Sequence, residues 1–401
     1  MTTTPTPPKI ERPRERFDPL GWLKHNLFSG WWNSLLTIVT LWLLYSILRP
    51  LLTWIFTQAE WEVVVANLRL FMVGTFPPEE IWRVWTCVVL TAGLMGLSWG
   101  LWPRVVGGVA ISYGSVLLFL ALLPFDPTNR VWLAACGVLI FLGMVIGRRL
   151  VADKHPTIAR WVAFGWIILM FVVVWLLRGI GLSLPVIKTT QWGGLLLTMV
   201  LAIASIVLSF PLGVLLAIGR RSSLPVVSLF CTIFIEVIRG VPLVTVLFMF
   251  QIMLPLFIPG GENIDKVIRA IVGFTLFTAA YIAENVRGGL QAIPQGQSEA
   301  ARALGLNPVL TMGFIVLPQA LRIVIPANVS QFVSLFKDTS LVFIASLLDL
   351  LGVGRSVLGQ SEFMGFQTEV YLFVGAVYWI FAYSLTYVSR RLEDVLGVGH
   401  R

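Results

Sequence analysis

The chain has 401 residues, of which 57% are hydrophobic and only 12% are charged. Soluble domains carry about a quarter charged residues, so half that level excludes an ordinary soluble domain and names lipid as the main solvent. The formal net charge is +9, but the basic residues sit beside apolar runs rather than on a soluble face, which argues against nucleic acid and for loops held in the cytoplasm.

In chain order, Pro and charge predict disorder over roughly the first sixteen residues. They contain no apolar stretch with a small-residue cleavage site, so no signal peptide is expected. From Phe17 to Trp32, aromatic and apolar residues mixed with Lys24 and His25 predict a short interfacial helix. About ten apolar runs follow, each long enough to cross ~30 Å of hydrocarbon. The first five are Trp32–Phe56, Val84–Trp102, Val105–Pro124, Val131–Gly147 and Trp161–Leu182. The second five are Gly193–Gly219, Val241–Ile258, Val267–Leu290, Gln319–Leu335 and Val370–Arg390. Lipid cannot satisfy backbone groups, so these runs are helices, and their weak alternation argues against a barrel. The fourth is short, as a tilted or partly buried helix would be. Between the first two, the stretch from Thr57 to Arg83 contains WEVVVANLRL, too short and charged to span, and predicts an interfacial helix or a packed lid. Cys87, Cys136 and Cys231 lack metal-ligand spacing and read as small core residues without a disulfide framework.

Charge orients the spans. Arg12, Arg14, Arg16 and Lys24 place the N-terminus inside. Alternation then puts Arg104, the group Arg148, Arg149, Lys154 and Arg160, the pair Arg220 and Arg221, Arg302, and finally Arg390 and Arg391 on the same side. Glu60, Glu62, Glu79, Glu80 and Asp126 fall outside. Each strong basic cluster obeys the positive-inside rule with both termini cytoplasmic. Three regions result: 1–30, disordered or interfacial; 31–185, N-terminal transmembrane helices; and 186–401, containing a cytoplasmic loop at 291–318.

That loop is the most informative feature. Glu299 to Pro318 read EAARALGLNPVLTMGFIVLP, too polar to span. Gly305 suits the left-handed residue that closes one short helix. Asn307 suits the cap of the next, and Pro308 its first turn. The pattern predicts helix, sharp corner, helix, with a membrane segment after Pro318. Its spacing resembles the EAA loop of the permease subunits of bacterial ABC importers: EAA, three residues, Gly, nine residues, then I-x-L-P. Glu299, Ala300, Ala301, Gly305, Ile315, Leu317 and Pro318 match it at every specified position.

From about Gln191 onward the chain is similar to the polar and general amino-acid branch of that family. FIEVIRGVPLVTVLFMF resembles its E-x-x-R-G-x-P-L element, here Glu236, Arg239, Gly240, Pro242 and Leu243. YIAENVRGGLQAIPQGQSEAARALG resembles the stretch leading into the loop, with Glu284 and Arg287. FKDTSLVFIASLLDL resembles its K-x-T-S-L element at Lys337, Thr339, Ser340 and Leu341. The extra N-terminal spans, with GTFPPEEIWR before the second, resemble the longer permease of general L-amino-acid importers.

These elements also have a physical reading. Glu236 and Arg239 are three apart and can pair on one helix face. Gly240 and Pro242 then break the helix, turning an inner amphipathic piece into a crossing one. The pair either pins that elbow or, with Glu284 and Arg287, forms a network that holds an inner gate. Lys337 and Asp338 follow a polar ladder of Asn328, Ser330, Gln331 and Ser334. Charges at membrane depth are costly unless they face a cavity or partner. Gln251, Gln331, Ser334, Lys337, Asp338, Thr339 and Ser340 are therefore candidates for a path carrying a zwitterion, or for hydrogen bonds tying helices together.

The expected fold is all-α and integral to the membrane, with about ten transmembrane helices, the C-terminal five forming an importer permease core with a coupling-helix loop. The resemblance implies a non-catalytic subunit of an ATP-driven amino-acid importer in the bacterial inner membrane. It further implies a second, homologous permease, two cytoplasmic ABC ATPases, a periplasmic amino-acid-binding protein and an L-amino acid as cargo. No cofactor is expected on this chain; ATP-Mg belongs to the ATPases. An ion-gradient-driven secondary transporter or channel is the alternative, and would make the Glu299 loop a passive connector. A membrane-embedded enzyme finds no support: His25, His155 and His400 lie outside the main spans, and no H-E-x-x-H, Walker A or nucleophile-elbow motif is present.

Overall fold

The computed structural model describes residues 18–152, 156–179, 181, 184–257 and 264–397. The expected disorder of the first sixteen residues lies outside the described residues, as do Arg12, Arg14, Arg16, Lys154, His155, His400 and the span ends at Leu182 and Ile258. The regular elements among the described residues are helical. They divide into two compact units at Trp61 and Glu62.

The first unit holds α1 (Pro19–Asn26) and α2 (Trp31–Thr57). Asp18 caps α1 by accepting the Leu20 N–H at 3.2 Å, within the interfacial stretch expected from sequence. The 27 residues of α2 reach about 40 Å at 1.5 Å per residue, enough to cross a bilayer. No residue of α2 is buried, which suits a helix that is apolar all round and solvated by lipid.

The second unit begins with α3 (Glu62–Ala66) and α4 (Leu68–Val73), then a 3₁₀ turn at Pro78–Glu80. Phe71 and Phe76 are fully buried, so this connection is a packed lid. Its close fit requires glycine: Gly74 has φ +66, and a Cβ there would stand 2.5 Å from the Cα of Gly193. Next come α5 (Ile81–Leu101), α6 (Pro103–Leu122), α7 (Pro127–Ala152) and α8 (Pro156–Arg178). The last three open on proline, whose missing N–H costs nothing in a first turn. The fourth span is not short. At 26 residues, α7 takes in Arg130, Arg148 and Arg149, because a helix continues past the apolar window wherever no breaker intervenes.

The remaining helices are α9 (Gly194–Arg220), α10 (Pro225–Gly240), α11 (Leu243–Phe248), α12 (Leu254–Phe257) and α13 (Lys266–Ala292). They are followed by α14 (Gln295–Ala303), α15 (Pro308–Leu310), α16 (Leu317–Asp338), α17 (Leu350–Leu358) and α18 (Gln367–Leu396). Among the described residues, nine helices are long and apolar enough to cross a membrane. A tenth candidate is the pair α10 and α11–α12, which passes the same length and composition test together and is bent by 108° at Gly240–Val241–Pro242, where the sequence predicts a break. Here α11 and α12 are joined by a π turn at Met249–Met253.

One boundary is corrected. No separate span starts at Gln319; instead α15, a π turn at Thr311–Val316 and α16 run on as one helical rod. Pro318 lacks an N–H, and its ring crowds the carbonyl of Phe314. The widened π turn just before it relieves that conflict without ending the helix.

Apolar cores join the helices of the second unit. Ala92, Trp99, Ala110, Cys136 and Ile140 join α5, α6 and α7. Phe76, Leu177, Leu197, Leu201, Phe274 and Leu335 join the lid, α8, α9, α13 and α16. Ala217, Ile235, Ile282, Val286, Val316 and Ala320 join α9, α10, α13 and α16 directly behind the Glu299 loop. The three cysteines are free and buried.

Candidate functional site

The site is a knob and the ring of charge beside it. Pro294 precedes α14, whose far end closes as a Schellman motif. Leu306 N–H donates to Ala301 O at 3.1 Å, Gly305 N–H donates to Arg302 O at 2.9 Å, and Gly305 has φ +83. Asn307 Oδ1 then accepts the Leu310 N–H at 2.8 Å, and Pro308 sits in the first turn that follows. The helix, corner and helix read from sequence are present in that order. Ala301 is buried, turned toward the rod, while Glu299 and Ala300 face out. Gln319 Nε2 ties the two limbs by donating to Gln297 Oε1 at 3.2 Å. Ile315 and Leu317 are half-buried and Pro318 is exposed. The free surface is not purely polar: Leu304, Val309 and Phe314 are 83%, 78% and 72% exposed. Large apolar side chains gathered on an exposed corner are the kind of surface that interaction sites present.

Beside the knob, five charged side chains gather from the ends of three helices. Glu284 of α13 is the hub. Arg287 donates Nε to its Oε2 at 3.0 Å and Nη2 to its Oε1. Arg220 Nη1 lies 3.4 Å and Arg239 Nη1 3.6 Å from Oε2. The expected pairing of Glu236 with Arg239 is corrected. Glu236 instead pairs with Arg220 of α9 at 2.9 Å. Arg239 is in the last turn of α10, where its guanidinium lies 5.6 Å from the Tyr281 ring centroid and reaches Glu284. A cross-helix partner thus wins over the local i,i+3 contact.

The polar candidates for a path do not form one surface. Gln251 is buried in the π turn, its side chain donating to Lys266 O at 2.7 Å while its carbonyl accepts from Arg269 Nη1 at 2.6 Å. Thr339 is buried, donates to Phe336 O at 2.7 Å and lies 3.4 Å from Tyr378 Oη. Ser340 Oγ donates to Lys337 O at 2.9 Å. Gln331, Ser334 and Asp338 are half-buried, and Lys337 is exposed. Asn328, above them in the ladder, accepts from Asn285 Nδ2 at 3.1 Å. Among the described residues no group of three His, Cys, Asp or Glu side chains is placed to hold a metal ion.

Comparison with known proteins agrees with this geometry. The family described as binding-protein-dependent transport system inner membrane component matches residues 209–396. The inner membrane amino-acid ABC transporter permease protein YhdY of Escherichia coli is 40% identical over 94% of this chain and 93% of its own length. The chain belongs to that family. The permease is also 33% identical, over 97% of its length and 96% of the relative's, to the glutamate/glutamine/aspartate/asparagine transport system permease protein BztC of Rhodobacter capsulatus. A crystal structure of an amino acid ABC transporter with histidines is 26% identical with a TM-score of 0.45, covering 50% of this chain and 92% of that one. By its family and its relatives along nearly the whole length, the chain is a multi-pass inner-membrane permease of an ABC transporter.

Two features of the permease escape sequence reading. Arg220 reads as one more basic residue after a span, and nothing local reveals that it meets Glu236 and Glu284. Asp349 is fully buried. It caps α17 by accepting N–H groups from Leu351 at 3.1 Å and Gly352 at 3.0 Å, and it accepts the Tyr378 hydroxyl at 2.9 Å. Burial pushes its carboxyl up while those donors hold it down. A lone Asp directly before an apolar helix is a capping signal that would have found it.

Proposed function

We propose that this permease carries an amino acid inward, driven by ATP hydrolysed on separate cytoplasmic ATPase subunits that grip the Glu299 knob. The observation that carries this reading is the knob: a corner closed by Gly305 and Asn307, with Leu304, Val309 and Phe314 uncovered around Glu299. Its charge pattern supports a cytoplasmic position for the knob and both termini. In this reading Glu299, Ala300, Ala301, Gly305, Asn307, Pro308, Ile315, Leu317 and Pro318 transmit the ATPase stroke. Glu236, Arg239, Gly240, Pro242, Glu284 and Arg287 hold the inner gate. The polar residues of α16 and the π turn contribute to the path.

A second, homologous permease completes the channel, two ATPases bind ATP-Mg, and a periplasmic binding protein delivers the amino acid. The region 31–185 adds helices to a core spanning 186–401. Nucleotide and loaded binding protein act by favouring one arrangement of the spans over another. Moving such an equilibrium from 1:99 to 99:1 takes about 5.5 kcal/mol of differential affinity.

The test is purification of the intact complex followed by uptake of radiolabelled amino acids. An ATP-hydrolysing subunit should copurify. Gly305→Val forces a β-branched residue into the left-handed region at a cost of roughly 1–2 kcal/mol, confined to the corner. It should lower uptake about tenfold or more while the membrane helices stay intact. Recovery of no ATPase, or full uptake by Glu299→Ala and Gly305→Val alike, would overturn the reading and leave a gradient-driven transporter.

A further inference from the structure

Between the knob and the helix ends behind it lies a cavity of about 220 Å³, smaller than the ~300–1,000 Å³ that drug-sized ligands occupy. One side is polar: Arg221 from the end of α9, Gln295, Ser298 and Arg302 from α14, and Thr311 from the π turn. The other is apolar, with Leu290, Met312 and Val316. Neither Arg221 nor Arg302 makes an ion pair among the described residues. Thr311 is only 4% exposed, and its hydroxyl has no hydrogen-bond partner. Thr275 and Thr278 of α13 share that state but do not line this cavity. Thr86, Thr91 and Thr386 satisfy their hydroxyls on the carbonyl four residues back, as helical threonines ordinarily do. Thr311 instead presents a buried donor to a cavity edged by two unpaired guanidinium groups. Burying a polar group without a partner is costly, and guanidinium forks match tetrahedral oxyanions.

We propose that this cavity binds a phosphate-class oxyanion, with Arg221 and Arg302 as its charge partners and Thr311 donating the buried hydrogen bond. Such a ligand would brace α14 against the π turn and the end of α9. It would set how firmly the knob is held to the rod. The cavity lies where helices leave the apolar region, so the oxyanion is either the headgroup of an anionic lipid or free phosphate. The proposal rests on the cavity's chemistry alone and stands whether or not an ATPase grips the knob.

The experiment uses the complex as purified, depleted of lipid in detergent or placed in nanodiscs of phosphatidylglycerol or phosphatidylcholine. The probes are inorganic phosphate followed by ³¹P NMR and thermal shift, and retained phosphatidylglycerol followed by native mass spectrometry. Arg302→Gln and Arg221→Gln should each weaken binding about tenfold. Thr311→Val should weaken it by roughly threefold to tenfold, and Thr311→Ser should restore it. Phosphate binding that phosphatidylglycerol nanodiscs abolish assigns the site to a lipid headgroup. Equal binding in both nanodiscs assigns it to free phosphate. No binding of either probe, or undiminished binding by Thr311→Val and Arg302→Gln, would overturn the proposal. Thr311→Val is nearly isosteric and Thr311→Ser removes only a methyl group, so this pair keeps the test decisive if an arginine variant fails to assemble.

Discussion

Within the second unit, helices α5 to α8 and those from α9 onward are held together by different physics. In the first group α5 and α7 meet backbone to backbone. A Cβ on Gly100 would stand 2.6 Å from the Cα of Gly147, and one on Gly143 would stand 2.9 Å from the backbone of Gly96. Lipid offers no hydrophobic drive between helices, so such a seam works by close van der Waals approach and has one good arrangement. The second group also has close approaches, as where a Cβ on Gly289 would stand 2.8 Å from Ala320 O. It adds the partly exposed network around Glu284 and two π turns. Water-screened ion pairs stabilise little individually and re-form readily, and π turns recur at functional sites. The first region rests on a glycine seam, and the second adds ion pairs that water reaches.

The largest effect expected from this contrast is at the glycine seam. Gly147→Leu should separate α5 from α7 and cost about 3 kcal/mol or more, because backbone atoms cannot yield as a side chain end does. The readout is thermal unfolding of the purified protein. Gly93→Ala on α5, the facing helix, has nothing within 4 Å of its new Cβ and should be neutral or stabilise by up to about 1 kcal/mol. Equal losses at the two positions would refute the seam.

Next in size is Glu284→Gln, which leaves Arg220, Arg239 and Arg287 without their shared carboxylate. A loss of roughly 1–2 kcal/mol is expected, discounted for the partial exposure of the group. Because the network is reached by solvent, the deficit relative to the parent should shrink as salt rises toward 1 M. Glu236→Gln should cost less, since among the described residues Glu236 makes a single ion pair, with Arg220, and its side chain is 55% exposed. A salt-independent deficit would mean a buried, rigid cluster instead.

What the sequence revealed follows the same division. Span count, the knob and the break at Gly240–Pro242 were legible because each rests on local chemistry: apolar length, a left-handed glycine, a capping Asn, a proline. The Glu236 pairing was not, because i,i+3 proximity on one helix competes with partners 16 and 64 residues from Arg220 that only packing brings near. The seam was also missed. The glycines at 96, 100, 143 and 147 are spaced by four, but that spacing says only that a close face exists and does not name what lies against it. The continuous rod through Pro318 escaped because a proline signals a helix boundary unless a π turn absorbs the misfit. Among the path candidates, residue type was readable but direction was not, and Thr339 turned toward Tyr378 rather than into an open route.

The smallest effect expected is at Asp349, which fastens α17 to α18 in the second region through Tyr378. Burial raises its carboxyl above the usual range, so the folded protein holds this proton at pH values where the unfolded chain, near 3.9, has released it. The native state then binds more protons than the unfolded state. Stability should therefore fall as pH rises from about 4 through the raised value, and level off above it. Asp349→Asn keeps an acceptor for the Leu351 and Gly352 N–H groups but has no proton to lose, so its melting temperature should lack that slope. The difference in melting temperature between the two proteins, followed from pH 4 to pH 8, isolates the contribution. Parallel curves would show that the three donors facing Asp349 outweigh its burial, and that this end of the second region is held by an ionised cap.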